Sequence, residues 1–193
     1  MEVGRSSKTA LQTAMRRAAH QVFDHPRVFD DPLALRIIGP EQEQRLRLNP
    51  AATQMPLSLR LRAHVVARAQ FAQTALTKAA HRGLQQLVIL GAGLDTTAYR
   101  SAIVARMLIV EVDEPATQAW KRSMLRRAGI QVPSNLSFLA IDFERQSIVE
   151  ALRDSGLNLG LPVFFSCLGV VPFLTPGAVR VLLRSVGQMT SGT

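Results

Sequence analysis

The sequence predicts an α/β fold in which a parallel, doubly wound sheet follows a helical N-terminal region. Three observations carry that reading. Four short apolar runs recur at spacings of about 20 to 30 residues with amphipathic stretches between them, the pattern of parallel strands joined by crossover helices. The first run opens into Gly91-Ala92-Gly93 ahead of a helical stretch. The residues before it instead keep apolar side chains three and four apart, which is one face of a helix.

In the first part of the chain, Leu11, Met15, Ala18 and Val22 recur at helical spacing behind a cap candidate at Ser6-Ser7. A longer stripe runs through Leu61, Val65, Ala69, Ala72 and Leu76. Between the two stripes, His25-Pro26, Asp31-Pro32, Gly39-Pro40 and Asn49-Pro50 read as connectors, with a short helix over 32–38. Residues 1–82 therefore form a helical region and residues 83–193 the sheet domain.

In the second part, 86–90, 107–112, 136–141 and 163–171 read as buried strands rich in Val, Ile, Leu and Phe. Helices are expected over 96–105, over 116–128 with Gly129 as its stop, over 147–154 with Gly156 as its stop, and over 176–188. The chain ends at Gly192-Thr193, where a fifth strand would begin. A half-wound sheet leaves 163–171 as an apolar edge with unpaired backbone groups, a surface for self-association. A truncated product, a fragment and an edge covered by another chain all fit that expectation.

Composition narrows the function classes. With 193 residues, 47 % hydrophobic and 19 % charged, the chain can bury a core. No apolar run reaches the roughly 18 residues that span a bilayer, and the stretch 1–17 is too polar for a signal peptide, so a cytoplasmic location without membrane contact is expected. A single Cys167 forms no internal disulfide, and four scattered histidines show no ligand spacing, so no metal site is expected. The net charge of +9 lies mostly in the first part, where 13 Lys and Arg face 6 Asp and Glu up to residue 82. Those cations are dispersed and aromatic residues make up only 5 %, which fits a solvated basic surface better than a nucleic-acid interface.

The chemistry concentrates at the ends of the predicted strands. Val88-Ile89-Leu90-Gly91-Ala92-Gly93-Leu94-Asp95 is an apolar strand running into a Gly-x-Gly turn, where free amides and close backbone approach suit a nucleotide-like ligand. A dinucleotide fold asks for a third glycine where this chain has Thr96, and Asp95 would stand against a pyrophosphate. The same carboxylate attracts the cationic amino and sulfonium groups of S-adenosylmethionine. Glu111 and Asp113 follow Gly91 by 20 and 22 residues, the separation at which an acid meets ribose hydroxyls, and alternation puts both on one face so that one binds and the other supports. Asp142-Phe143 at the third strand end can offer an acceptor to an adenine amino group and an apolar face to its ring. Arg68 falls about 20° from Leu61 on a helical wheel, on the apolar side, where a guanidinium seeks a carboxylate partner such as that of a methionine moiety.

Taken together, Ser7-Lys8-Thr9-Ala10, Phe29-Asp30-Asp31-Pro32-Leu33-Ala34, Val65-Val66-Ala67-Arg68, the 86–96 stretch, Ala98-Tyr99-Arg100, the 111–121 stretch from Glu111 to Lys121, and Gly169-Val170-Val171 before Leu174-Thr175 resemble the bacterial S-adenosylmethionine-dependent methyltransferases related to leucine carboxyl methyltransferases. The resemblance implies a Rossmann-like class I methyltransferase fold, C-terminally truncated, with a helical N-terminal cap over the donor site. It implies S-adenosyl-L-methionine as methyl donor, with Gly91 and Asp95 at its methionine end, Gly93 also among the donor-binding residues, Asp113 and Glu111 at the ribose, Asp142 and Phe143 at the adenine, and Lys8 and Arg68 near the donor carboxylate. Where the family often carries a tryptophan or an acid before an aromatic-leucine pair, this chain reads Ser166-Cys167-Leu168-Gly169-Val170-Val171-Pro172-Phe173-Leu174.

Displacement at a sulfonium methyl leans on positioning and a dry site, so no catalytic side chain is assigned, and Cys167 reads as core. The expected activity is O-methylation of a carboxylate or hydroxyl on a small acceptor that the sequence does not identify. Two further readings are a non-catalytic remnant acting through its open edge and a nicotinamide-dependent oxidoreductase, the latter opposed by Thr96 and Asp95.

Overall fold

The computed structural model describes residues 5–190 and 192–193, with side chains from Lys8 onward. The Ser6-Ser7 cap expected from the sequence concerns side chains outside that range. Helix α1, Arg5–Phe23, turns Ala14, Ala18 and Ala19 inward, together with the buried Arg17 and His20. It packs on α2, Ala34–Ile38, and on α5, Pro56–His81. Between those two helices, α3 spans Pro40–Leu48 and α4 spans Pro50–Gln54.

Of the four prolines read as connectors, Pro26 and Pro32 lie in bends and turns while Pro40 and Pro50 start helices, as does Pro56. Pro40, Pro50 and Pro56 each occupy the first helical position, where a missing N–H costs nothing and the fixed φ suits the helix. Asn49 adds a cap by accepting the Ala52 amide at 3.3 Å. The long stripe on α5 is also offset from its expected face: Leu61 is 37 % exposed, while Arg62, Val65, Val66 and Leu76 are buried.

Four strands form one parallel sheet in the order β3-β2-β1-β4, with β1 Gln86–Leu90, β2 Leu108–Asp113, β3 Leu136–Ala140 and β4 Phe164–Cys167. Every residue of the central β1 is buried, which explains its uninterrupted apolar run. On one face Val88, Leu90, Val110 and Val112 pack on α8, Ile148–Arg153, and α9, Pro176–Gly187, through Ile148, Leu152 and Leu182. On the other face Leu87, Ile89 and Ile109 pack with Leu76 of α5, Ala98 of α6, Thr97–Arg100, and Val104. Helix α7, Pro115–Arg127, joins α1 and α2 in a third cluster through Leu125.

The fourth strand is shorter than the 163–171 run suggests. After Cys167 the chain turns at Gly169, whose φ of +89° favours glycine, and crosses the top of the sheet through a 3-10 turn at Val171–Phe173. The helix expected over 96–105 likewise breaks at the extended Ser101 into α6 and a 3-10 turn, Ala102–Val104. Among the described residues no helix is long and apolar enough to cross a membrane, and no cluster of three or more metal-ligating side chains occurs.

Candidate functional site

The carboxyl ends of β1 and β2 are stitched together by one acid. Asp113 Oδ2 accepts the Gly93 amide at 2.6 Å and its Oδ1 accepts the Glu114 amide at 2.8 Å. The glycines are required by geometry. Gly91 has φ +59°, and a Cβ there would lie 2.0 Å from Val170 Cγ2. Gly93 has φ +43°, and a Cβ there would lie 3.1 Å from the Cβ of Ala10, so α1 presses directly on the loop. The close approach demanded at Gly93 is thus partly to the protein's own helix.

Above this loop lies a cavity of about 140 Å³. At roughly 10–15 Å³ per water in such measures it holds about ten water molecules, the scale of a nucleoside-sized ligand. Its walls include Thr9, Ala10 and Arg17 of α1, Arg68 of α5, the turn from Gly91 to Thr97, Asp113 and Glu114, Phe143, and the crossing segment from Leu168 onward. Of the residues singled out in the sequence, Gly91, Gly93, Asp95, Asp113, Arg68 and Phe143 meet here.

Their electrostatics differ. Burial raises the Asp113 carboxyl above its ordinary 3.8, only partly offset by the Gly93 and Glu114 amides and the Lys121 charge. For Asp95 the upward push of burial is outweighed by the Arg17 and Lys121 charges and by Thr97, whose amide donates to Oδ1 at 2.7 Å, so its carboxyl is held below the usual value. Arg68 is half-buried and its guanidinium lies against Gly169, where a Cβ would stand 2.8 Å from Nη1. Burial and the neighbouring Arg17 charge lower its pKa, with Asp95 opposing. Among the described residues Arg68 has no hydrogen-bond or ion-pair partner.

Three of the sequence candidates stand outside the cavity lining. Lys8 is exposed on α1, one position before the residues that line it. Glu111 is 1 % exposed, two residues below Asp113 on the same strand face, with Lys121 Nζ at 2.7 Å from Oε2 and the Tyr99 hydroxyl donating to that oxygen at 3.1 Å. That ion pair lies off hydrogen-bond directions, leaving Lys121 Nζ and Glu111 Oε1 buried without hydrogen-bond partners. Burial raises the Glu111 carboxyl despite the opposing Lys121 charge. Asp142 is spent on its own turn, accepting the Glu144 amide at 2.9 Å with Arg145 3.5 Å away. The expected pairs thus separate: Asp113 and Phe143 reach the cavity, while Glu111 is buried beneath Asp113 and Asp142 stands in a part-exposed turn outside the lining.

A model of the family described as leucine carboxyl methyltransferase matches residues 10–187. The chain belongs to the leucine carboxyl methyltransferase family. It is 32 % identical over 196 residues to a Bacillus subtilis (strain 168) protein named "Putative S-adenosyl-L-methionine-dependent methyltransferase YktD", covering 91 % of this chain and 64 % of the relative. Proteins of the same description from Mycolicibacterium gilvum and Mycobacteroides abscessus are 30 % and 31 % identical over 95 % of this chain and over 63 % and 60 % of their own lengths. The chain spans about three fifths of the length of the curated relatives it matches. The four-stranded parallel sheet with helices on both faces agrees with the Rossmann-like architecture that the resemblance implies.

In this family member the sequence reading missed the hub that joins the helical layer to the loop. Asp31, 1 % exposed, lies 3.1 Å from Arg17 Nε and 3.8 Å from Arg100 Nε, and accepts the Thr96 hydroxyl at 2.8 Å. Arg17 also donates to the Leu94 carbonyl at 2.6 Å, and Thr96 Oγ1 accepts from Arg100 Nε at 3.2 Å. Thr96 therefore occupies the third-glycine position because its hydroxyl is a structural strut. The signal available was Asp31 within Asp30-Asp31-Pro32, but that triplet also reads as an ordinary turn, and its partners lie 14, 65 and 69 positions away.

Proposed function

We propose that this chain binds S-adenosyl-L-methionine above β1 and β2, and that the enzyme it represents transfers the methyl group to an oxygen of a carboxylate or hydroxyl acceptor. The observation that carries the reading is charge. Of the cations lining the cavity, Arg17 and Arg100 engage Asp31, and Arg68 stands opposite Asp95 and Asp113. Two acids at the strand ends and a guanidinium without a hydrogen-bond or ion-pair partner among the described residues suit a ligand carrying cationic groups and a single carboxylate. They repel a diphosphate, and Thr96 is committed to Asp31, which opposes the nicotinamide reading. The names of the three relatives support the same donor.

In this reading residues 1–82 act as a helical cap and residues 83–193 carry the donor site. Asp113 keeps acceptor capacity beyond its two amide bonds and takes ribose hydroxyls. Asp95 meets the amino group, Arg68 the carboxylate, and Phe143 the adenine ring. Glu111 with Lys121 supports Asp113 from behind, and Lys8 and Asp142 take no direct part. The bound donor supplies an electrophilic methyl on a sulfonium. An acceptor oxygen forms the new C–O bond as the C–S bond breaks and its electron pair returns to sulfur. A carboxylate acceptor needs no base for this, whereas a hydroxyl must lose a proton.

Calorimetric titration of the chain with S-adenosylhomocysteine and, separately, with NAD tests the donor. Binding of the thioether alone is expected, and Asp113→Ala should abolish it; affinity for NAD, or for neither ligand, contradicts the reading. A second reading, self-association through the free edge of β4, is favoured by that strand's position at the end of the sheet and by the exposed Val181 and Leu183 on α9. A concentration-independent monomer in sedimentation would dismiss it.

A further inference from the structure

No Asp or Glu occurs from residue 44 to residue 94, a stretch that contains the whole of α5. On that helix Leu57, Arg60, His64, Phe71 and Lys78 fall within an arc of about 60° at roughly 100° per residue. All five are exposed, and the exposed Arg82 follows at the C-cap. The buried Arg62 and Val66 lie on the opposite side. Leu57 and Phe71 are 67 % and 77 % exposed. Two large apolar side chains thus stand among cations along roughly 32 Å of helix.

The charge on this face is uncompensated. Every described acid before residue 83 already has an arginine beside it: Asp30, Glu41 and Glu43 pair within four residues, and Asp24 and Asp31 pair with Arg62 and Arg17. Among the described residues Arg60, Lys78 and Arg82 enter no ion pair. A single exposed leucine is ordinary, but apolar residues interleaved with free cations on one helical line mark a contact surface. A helix lying flat on an anionic bilayer sinks such residues into the headgroup boundary while its cations meet lipid phosphates. Such a helix needs no spanning length, so the lack of a membrane-crossing helix among the described residues does not oppose it. A second copy applied through the same face would set like charges against each other. A nucleic-acid backbone would satisfy the cations and offer Leu57 nothing.

We infer that the outer face of α5 docks on an anionic lipid surface, with Leu57 and Phe71 entering the headgroup boundary and Arg60, Lys78 and Arg82 meeting phosphates. The inner side of the same helix lines the cavity through Val65, Ala69 and Ala72. Docking therefore holds the cavity about one helix diameter, roughly 10–12 Å, from the headgroups. The contact goes beyond the proposed donor binding and needs no bound ligand.

Cosedimentation of the whole chain with vesicles tests this face. Phosphatidylcholine vesicles containing about one third phosphatidylglycerol should bind about tenfold tighter, or more, than phosphatidylcholine alone, and added salt should weaken that binding. Arg60→Gln combined with Lys78→Gln should weaken it about tenfold, and so should Phe71→Gln alone. All three positions are exposed and stand outside the cavity lining, so both variants should unfold at the parent's temperature. Equal binding to the two kinds of vesicle, including none to either, overturns the inference. So does vesicle binding that Phe71→Gln leaves unchanged, which is bulk attraction to a chain of net charge +9. Tighter binding to duplex DNA or polyglutamate than to the mixed vesicles reassigns the face to a soluble polyanion and overturns it as well.

Discussion

The Asp113 carboxylate accepts the Gly93 amide at 2.6 Å, so the acid ending β2 fixes the loop ending β1. One side chain thereby shapes the floor of the cavity and supplies part of its charge. Its raised pKa has a direct consequence for ligand binding. Above that value Asp113 is ionised and attracts a cationic ligand; as pH falls through it, the carboxyl takes up a proton and the attraction is lost. Asp95, held low, stays ionised further into acid. Affinity for S-adenosylmethionine should therefore decline at a pH above the ordinary aspartate value of 3.8. Calorimetry across pH 4 to 8 checks this, and Asp113→Asn should remove that step while weakening binding throughout.

The Asp31 hub makes a second expectation quantitative. Asp31→Ala leaves the Arg17 guanidinium, 7 % exposed, without its carboxylate, and also strips a partner from Thr96 and Arg100. Breaking a buried pair from one side costs about 3–5 kcal/mol. Urea unfolding should show a loss of that size, accompanied by weaker S-adenosylhomocysteine binding because Arg17 no longer braces the Leu94 carbonyl. A variant as stable as the parent chain would remove the hub from the account.

Sequence periodicity exposed the centre of the sheet well because β1 and nearly all of β2 are buried on both faces and are therefore spelled by runs of mostly apolar residues. β1 falls on its expected residues, 86–90, for that reason. Where burial is shared with a turn, as at Cys167 to Val171, the run overstates the strand, since apolar residues lining a loop look like strand. The cavity lining was legible where a strand end runs into a tight turn or an acid, at Gly91, Gly93, Asp95 and Asp113. The buried pairs of Arg17, Asp31 and Lys121 were illegible, because their partners are distant in sequence. Glu111 and Asp113 illustrate the limit: alternation places both on one face, but only depth along the strand decides that Asp113 reaches the cavity and Glu111 meets Lys121.

The Lys121–Glu111 pair gives a third expectation. Both residues are 1 % exposed, and Nζ stands 2.7 Å from Oε2. Lys121→Met alone abandons a buried carboxylate and should cost about 3–5 kcal/mol, whereas Lys121→Met with Glu111→Leu removes both charges and should recover most of that loss. A double-mutant cycle in urea measures the coupling; additive losses would mean that the two charges do not stabilise each other.

Gly91 separates two causes of glycine dependence. An alanine there meets Val170 Cγ2 at 2.0 Å and must also adopt φ +59°. The backbone part costs about 1–2 kcal/mol for a residue with a Cβ, while the contact with Val170 requires either the loop or the crossing segment to move. Gly91→Ala should therefore destabilise the chain by more than the backbone cost and displace the cavity wall, weakening S-adenosylhomocysteine binding. In a Val170→Ala background the clash is gone, so the same substitution should cost only about 1–2 kcal/mol. Thermal and urea unfolding of the four chains resolves the two contributions: an equal penalty in both backgrounds would assign the whole requirement to φ, and the Val170 segment would then play no part in holding the turn.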